Sequence, residues 1–224
     1  MREYDFYIFD MDNTLVDSSR GYDGAIAEAF GRLGVRGGAG EYGDYIQRSL
    51  RDMYDERVGE GRCSYGEFCE LFSSAYDRHA PGSSRLFPDA RRCIESLRLA
   101  GKAMGVASNC HTRHVEGALS DLGVSGMFGS LVGMDRAGSK PDPGPVLLCM
   151  REMGADPAST LMVGDSASDV LAGLRAGIDA ALVSRGGSPP AGCSPTFLIS
   201  SLEDLLPRPP GAPGNPPERP LRIS

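Results

Sequence analysis

The sequence contains no CxxC pair, no apolar run long enough for a bilayer and no basic stripe, and each gap closes off a class of function. Its six cysteines stand at positions 63, 69, 93, 110, 149 and 193, several of them inside periodic apolar stretches such as CIESL and VLLCM. Reduced, mostly buried thiols are therefore expected. No stretch approaches the roughly 18 apolar residues that cross a bilayer. The opening MREYDFYIFD is too acidic, and its apolar run too short, for a secretory signal, so the expected location is the cytoplasm. A net charge of −7 and a pI near 5.0 argue against a nucleic-acid surface. What remains is a chain of 224 residues, 41% hydrophobic, that can bury a core as one large domain or as a core with a modest insertion.

The stretch YIFDMDNTLVDS, residues 7–18, ends an apolar run in two carboxylates one residue apart, Asp10 and Asp12, with Thr14 at the same spacing. Just past a strand end the chain turns, so the two carboxylates can converge on one small volume. A strand-to-helix cap would use the same residue types. Three later apolar runs also close on polar residues: GVASN at Ser108 and Asn109, GSKPDP at Lys140, and LMVGDSASD at Asp165 and Asp169.

Strand-like runs are expected at residues 4–10, 103–108, 130–134, 160–165 and 179–184, with TFLIS an edge strand and SLEDLL a last turn of helix. Helical patterns such as PDARRCIESLRLAG and SASDVLAGLRAG alternate with them, which implies α/β architecture with a doubly wound parallel sheet. Between about Ser18 and Ser84 the periodicity is helical throughout, in YDGAIAEAFGRLG, EYGDYIQRSLRDMYDERV and SYGEFCELFSSAYDRHA. The expected division is a core of residues 1–17 and 85–206, an inserted all-helical cap of 18–84, and a Pro-rich tail of 207–224 without packed structure. Hinges are expected around Asp17–Gly21 and Pro81–Phe87, where Gly, Ser and Pro concentrate.

Taken together, DxDxT at Asp10, Asp12 and Thr14, then Ser108, Lys140 and the GDxxxD of Asp165 and Asp169, closely resembles the haloacid dehalogenase (HAD) superfamily of phosphatases and phosphomutases. The resemblance runs to about Leu206, and the layout is most similar to phosphoglycolate phosphatase-like members with a helical cap. It implies a Rossmann-like core and an aspartyl-phosphate mechanism, with Asp10 as nucleophile and Asp12 as general acid/base. It further implies that Ser108 and the backbone NH of Asn109 hold phosphoryl oxygens, that Lys140 neutralises charge, and that Thr14 belongs to the same substrate-binding set. Mg²⁺ would sit on Asp10, the backbone carbonyl of Asp12 and Asp165, with Asp169 ligating through water or orienting the others, and hard oxygen donors suit it. An acidic chain also needs a cation to accept a phosphate ester. Dehalogenases of the superfamily usually carry Tyr at position 12 and phosphonate hydrolases Ala, so Asp12 favours phosphate esters.

The motif reads DMDNT where many relatives have Gly at position 13, and Asn tolerates unusual backbone angles. His111 and His114, at i and i+3, lack an evident third ligand and are expected on a helix surface. Cys110 is expected to be a partly exposed thiol with no activating neighbour. For the cap, Arg36, Arg48, Arg51 and Arg57 are candidates for a carboxylate or second phosphate, against the plainer reading of solvated helix charges. The leading expectation is a Mg²⁺-dependent phosphatase of a small phosphorylated metabolite, monomeric or homodimeric. The alternatives are a phosphomutase of the β-phosphoglucomutase type and, behind it, a phospho-accepting signalling module or a non-catalytic binding module.

Overall fold

The computed structural model describes residues 2–36, 50–185 and 193–206. The expectation for the tail of 207–224 lies outside the described residues, as do Arg48 and the start of the second cap helix.

Six parallel strands form the main sheet in the order β5-β4-β1-β6-β7-β8. They are β1 (Phe6–Phe9), β4 (Ala103–Ala107), β5 (Ser130–Val132), β6 (Thr160–Gly164), β7 (Asp179–Val183) and β8 (Phe197–Ile199). TFLIS indeed supplies an edge strand, whereas the first strand is shorter than expected, with Tyr4 buried ahead of it. SLEDLL forms a 3-10 turn, Leu202–Leu205.

Strand periodicity of two explains the layering. Tyr7 and Phe9 enter a core on one face with Met104, Val106, Leu161 and Val163, covered by α4 (Pro88–Leu99) and α5 (Thr112–Asp121). Ile8 faces the other way, into a second core with Met162, Ala180 and Leu182 under α7 (Gly144–Met153) and α8 (Ala167–Arg175). From β1 the sheet grows outward through β4 and β5, then returns to β1's other side with β6. This switch places the ends of β1, β4 and β6 around one crevice, the usual ligand position in open α/β sheets.

Between β1 and β4, α1 (Ser19–Arg32), α2 (Leu50–Met53) with a following π turn (Tyr54–Val58), and α3 (Tyr65–His79) bury a cluster of their own. Phe68, Phe72, Ala75 and Tyr76 give α3 its apolar stripe, and Phe30 stacks on Phe68 at 6.1 Å. Ser64 and Glu67 close a capping box at the start of α3. The two segments expected as hinges are partly paired with each other. β2 (Val16–Asp17) and β3 (Arg85–Leu86) run antiparallel, Val16 opposite Leu86, and Arg85 bonds Asp17 at 2.7 Å. The sequence showed no strand signal there because two residues per strand are too few for a periodicity.

Candidate active site

Asp10 follows β1 directly, and its backbone NH donates to Val163 O on β6 at 2.8 Å, so the first residue past one strand is tied to its neighbour. Ser108 follows β4 and Asp165 follows β6, while Lys140 comes from the loop between α6 (Met134–Ala137) and α7. The Lys140 ammonium is 2.5 Å from Asp10 Oδ1 and 2.6 Å from Asp169 Oδ1, and donates to Ala107 O at 2.7 Å. All three charged side chains are buried. Burial alone would lower the Lys140 pKa, but Asp10 and Asp169 outweigh it and raise it, so the amine stays protonated.

Carboxylate oxygens of Asp10, Asp165 and Asp169 lie within 4.8 Å of one another. Burial raises the Asp10 pKa well above the carboxylate range, against the pull of Lys140, and Asp169 and Asp165 raise it further. Burial and then Asp169 push Asp165 up to about 7. Three carboxyl groups face one lysine, so their full ionisation needs a further cation, and with hard oxygen donors the cluster fits a divalent ion such as Mg²⁺.

Asp169 is held in place by its own helix. Its Oδ2 accepts from Ser166 N at 3.0 Å and from Ser166 Oγ at 2.5 Å, completing a capping box at the start of α8. Asp169 therefore serves its helix with one oxygen and the cluster with the other. Gly164 makes this possible, because a Cβ there would lie 2.3 Å from Asp169 Cβ and Cγ.

The carboxylate of Asp12 turns away from that cluster. Ser18 Oγ donates to its Oδ1 at 2.5 Å and the Cys110 thiol to its Oδ2 at 3.3 Å. Any metal contact from Asp12 would have to come from its backbone carbonyl. Thr14 is fully buried and its hydroxyl donates to Asp165 Oδ1 at 3.4 Å. Ser108 Oγ accepts from Cys110 N at 3.0 Å. The Asn109 side chain brackets residue 140, donating to Lys140 O at 3.1 Å and accepting from Lys140 N at 2.8 Å. Asn13 has φ +59°, the left-handed angle for which Asn is a tolerated residue.

Sequence reasoning missed the partners of Asp12. A serine ahead of a helix reads as an N-cap, yet Ser18 makes no side-chain cap bond, because its hydroxyl goes to Asp12. Cys110 is half-buried, and burial followed by Asp12 pushes its thiol pKa well up, so it is not activated, as expected. Tyr22 and Tyr76 bring the helical segment to the same place: burial raises both phenols, and Asp12 and Cys110 are the next charges each senses. His114 is not on an open surface. Its ring lies against Tyr76 at 5.2 Å, and Nε2 is 2.5 Å from Asp77 on α3, which Arg113 also bonds at 3.0 Å. Arg51 pairs with Asp55 on its own helical stretch, and Arg57 donates to Arg36 O, so the described cap arginines engage their own segment.

A family model described as haloacid dehalogenase-like hydrolase matches residues 7–183. The chain belongs to that family. This haloacid dehalogenase-like hydrolase is an enzyme built like phosphoglycolate phosphatases. It is 32% identical over 213 residues to phosphoglycolate phosphatase 1 of Pseudomonas aeruginosa, spanning 89% of this chain and 78% of that protein. It is 29% identical over 209 residues to the phosphoglycolate phosphatase of Aquifex aeolicus, spanning 89% of this chain and 93% of that protein. A haloacid dehalogenase-like family hydrolase from Streptococcus pneumoniae superposes with a TM-score of 0.79 at 19% identity, over 92% of this chain and 98% of that one, a likeness of fold. No helix among the described residues of the hydrolase is long and apolar enough to cross a membrane.

Proposed function

We propose that this chain is a Mg²⁺-dependent phosphatase of a small phosphate monoester, working through an aspartyl-phosphate on Asp10 in the cytoplasm. The observation that carries the reading is the buried meeting of Asp10, Asp165 and Asp169 around Lys140 at the ends of β1 and β6. Asp10, Asp165 and the carbonyl of Asp12 would hold Mg²⁺, with Asp169 beside them. When bound, Mg²⁺ supplies positive charge that offsets the phosphoryl oxygens and the carboxylates.

An Asp10 carboxylate oxygen attacks phosphorus while the ester P–O bond breaks, and Asp12 gives its proton to the departing oxygen. Water then attacks the same phosphorus, Asp12 takes its proton, and the Asp10–phosphorus bond breaks to free inorganic phosphate. Lys140, fixed to Asp10 and by Asn109, offsets charge shared between nucleophile and phosphoryl group. Ser108 and the backbone NH of Asn109 bind phosphoryl oxygens. Thr14 acts one step back, orienting Asp165.

The described helices between β1 and β4 would act as a cap, since their own aromatic core supports movement as a unit and Tyr22 and Tyr76 lie towards Asp12. The names of the relatives put 2-phosphoglycolate first in a substrate panel. Phosphate release from that panel, with and without Mg²⁺, tests the reading. Asp10→Asn should lower metal-dependent turnover by about 1,000-fold or more. Turnover that survives the substitution, or that ignores the metal, would defeat it.

A further inference from the structure

The turn that presents Asp12 is closed locally by Leu15 N and Val16 N, both donating to Met11 O at 2.9 Å, and by Asn13 N donating to Val16 O at 2.8 Å. Its three outward carbonyls accept from other parts of the chain. Leu15 O takes Phe87 N at 3.0 Å, at the segment where the helices rejoin the core. Asn13 O and Thr14 O both take Arg185, from Nε at 3.4 Å and Nη2 at 2.7 Å.

The same guanidinium makes two more contacts. Nη1 donates to Asp89 Oδ2 at 2.6 Å, and the plane lies 4.0 Å over the Phe87 ring. Asp89, at the start of α4, is fixed in turn by Leu202 N at 3.0 Å and Ser201 Oγ at 3.2 Å. One planar group, anchored on a braced carboxylate, therefore grips two successive carbonyls of the turn and packs on the rejoining segment. Only a rigid fork can meet acceptors in that pattern, which is why lysine would not replace it.

We propose that Arg185 is a positioning residue for the acid/base step: it fixes the Asn13–Thr14 turn, and through it the aim of Asp12 at the leaving oxygen. The inference rests on the reading of Asp12 given above. Arg185 itself touches none of the reacting groups. Side-chain misplacement at a proton-transfer step weakens catalysis most where the leaving group most needs its proton.

The test uses the full chain with Mg²⁺ and a series of ring-substituted phenyl phosphates, from p-nitrophenyl to p-methoxyphenyl. The readout is kcat/KM plotted against leaving-group pKa. Asp12→Asn defines the steep dependence expected when the acid is lost. Arg185→Ala should steepen the plot in the same direction, with a loss of about 30-fold on the poorest leaving group and about 3-fold or less on p-nitrophenyl phosphate. Arg185→Lys should recover only part of the difference.

Equal losses across the series, or losses that track the folded fraction in thermal melts, would overturn the proposal and leave Arg185 a purely structural residue. If Arg185→Ala does not fold, Asp89→Asn, which keeps shape but removes the ionic anchor, must show the same steepening in milder form; a flat response there also overturns it. A flat plot for Asp12→Asn would sink the acid reading and this proposal with it. Residual turnover in Asp10→Asn would instead mark failure of the aspartyl-phosphate reading.

Discussion

At the carboxyl edge of the sheet, charge is buried: Lys140, Asp10 and Asp169 are shut in together, 2.5–2.6 Å apart. In the described helices of residues 19–32 and 50–79 the buried groups include Phe30, Tyr54, Phe68, Phe72 and Tyr76, while Glu28 collects Arg32, Arg78 and His79 on the rim. Charges buried at the sheet edge cannot relax towards water, so they hold a fixed field for chemistry at the cost of strain between like carboxylates. The helices, cemented by apolar contact with themselves, are joined to the core by two short strands and the Asp77 contacts with Arg113 and His114. The sheet edge is thus held by buried charge and the helices by their own apolar core.

The contrast can be broken most directly in the helices. Phe68→Ala removes a fully buried ring that touches Phe30 and Tyr54, and should cost about 3–5 kcal/mol locally. Hydrogen exchange should show α3 amides losing protection while β1 and β6 keep theirs. Equal loss in both would mean that the two regions unfold as one.

The buried charge gives the next effect, through pH. Asp165 has its pKa raised from 3.8 to about 7 in the folded protein, so folding favours its protonated form. For a raised carboxyl, the associated stability is complete below about pH 4 and is lost as pH rises through about 7, an effect on the order of 2–4 kcal/mol. Metal-free protein should therefore melt at lower temperature at pH 8 than at pH 5, and Asp165→Asn should reduce that dependence, leaving the part due to Asp10. Mg²⁺ should raise the melting temperature most at the higher pH, where the carboxylate is free to bind it. Melts that rise with pH in chelator, with Asp165→Asn no different, would contradict the assignment.

The smallest effect belongs to the rim. Arg51 and Asp55 form a pair with both side chains about half exposed, and Arg51→Ala should leave the melting temperature nearly unchanged. Its kcat/KM should also be unchanged. A large KM increase would make Arg51 a substrate contact and blur the line between rim and site.

Much of this was legible in the sequence because its signals are local. Short continuous apolar runs marked the strands, and the residues just beyond them, Asp10, Ser108 and Asp165, are those the strand ends deliver to the crevice. Asn13 in the left-handed region follows from its place in the turn. What could not be read were contacts between segments distant in the chain. His114 was expected on an open surface and is instead packed against Tyr76 and Asp77, and nothing local marked Ser18 or Arg185, whose roles are set by partners in space.

The sequence by itself determined the alternation of strand and helix, the helical insertion and the set of carboxylates with their lysine, since backbone periodicity and side-chain chemistry are properties of short segments. Only the tertiary structure decided that Asp12 faces Ser18 and Cys110 while Asp10 faces Lys140, that Thr14 serves Asp165, and that Arg185 braces the turn between them. Those choices depend on which strand ends and loops the parallel sheet brings together, and chain separation carries no record of that.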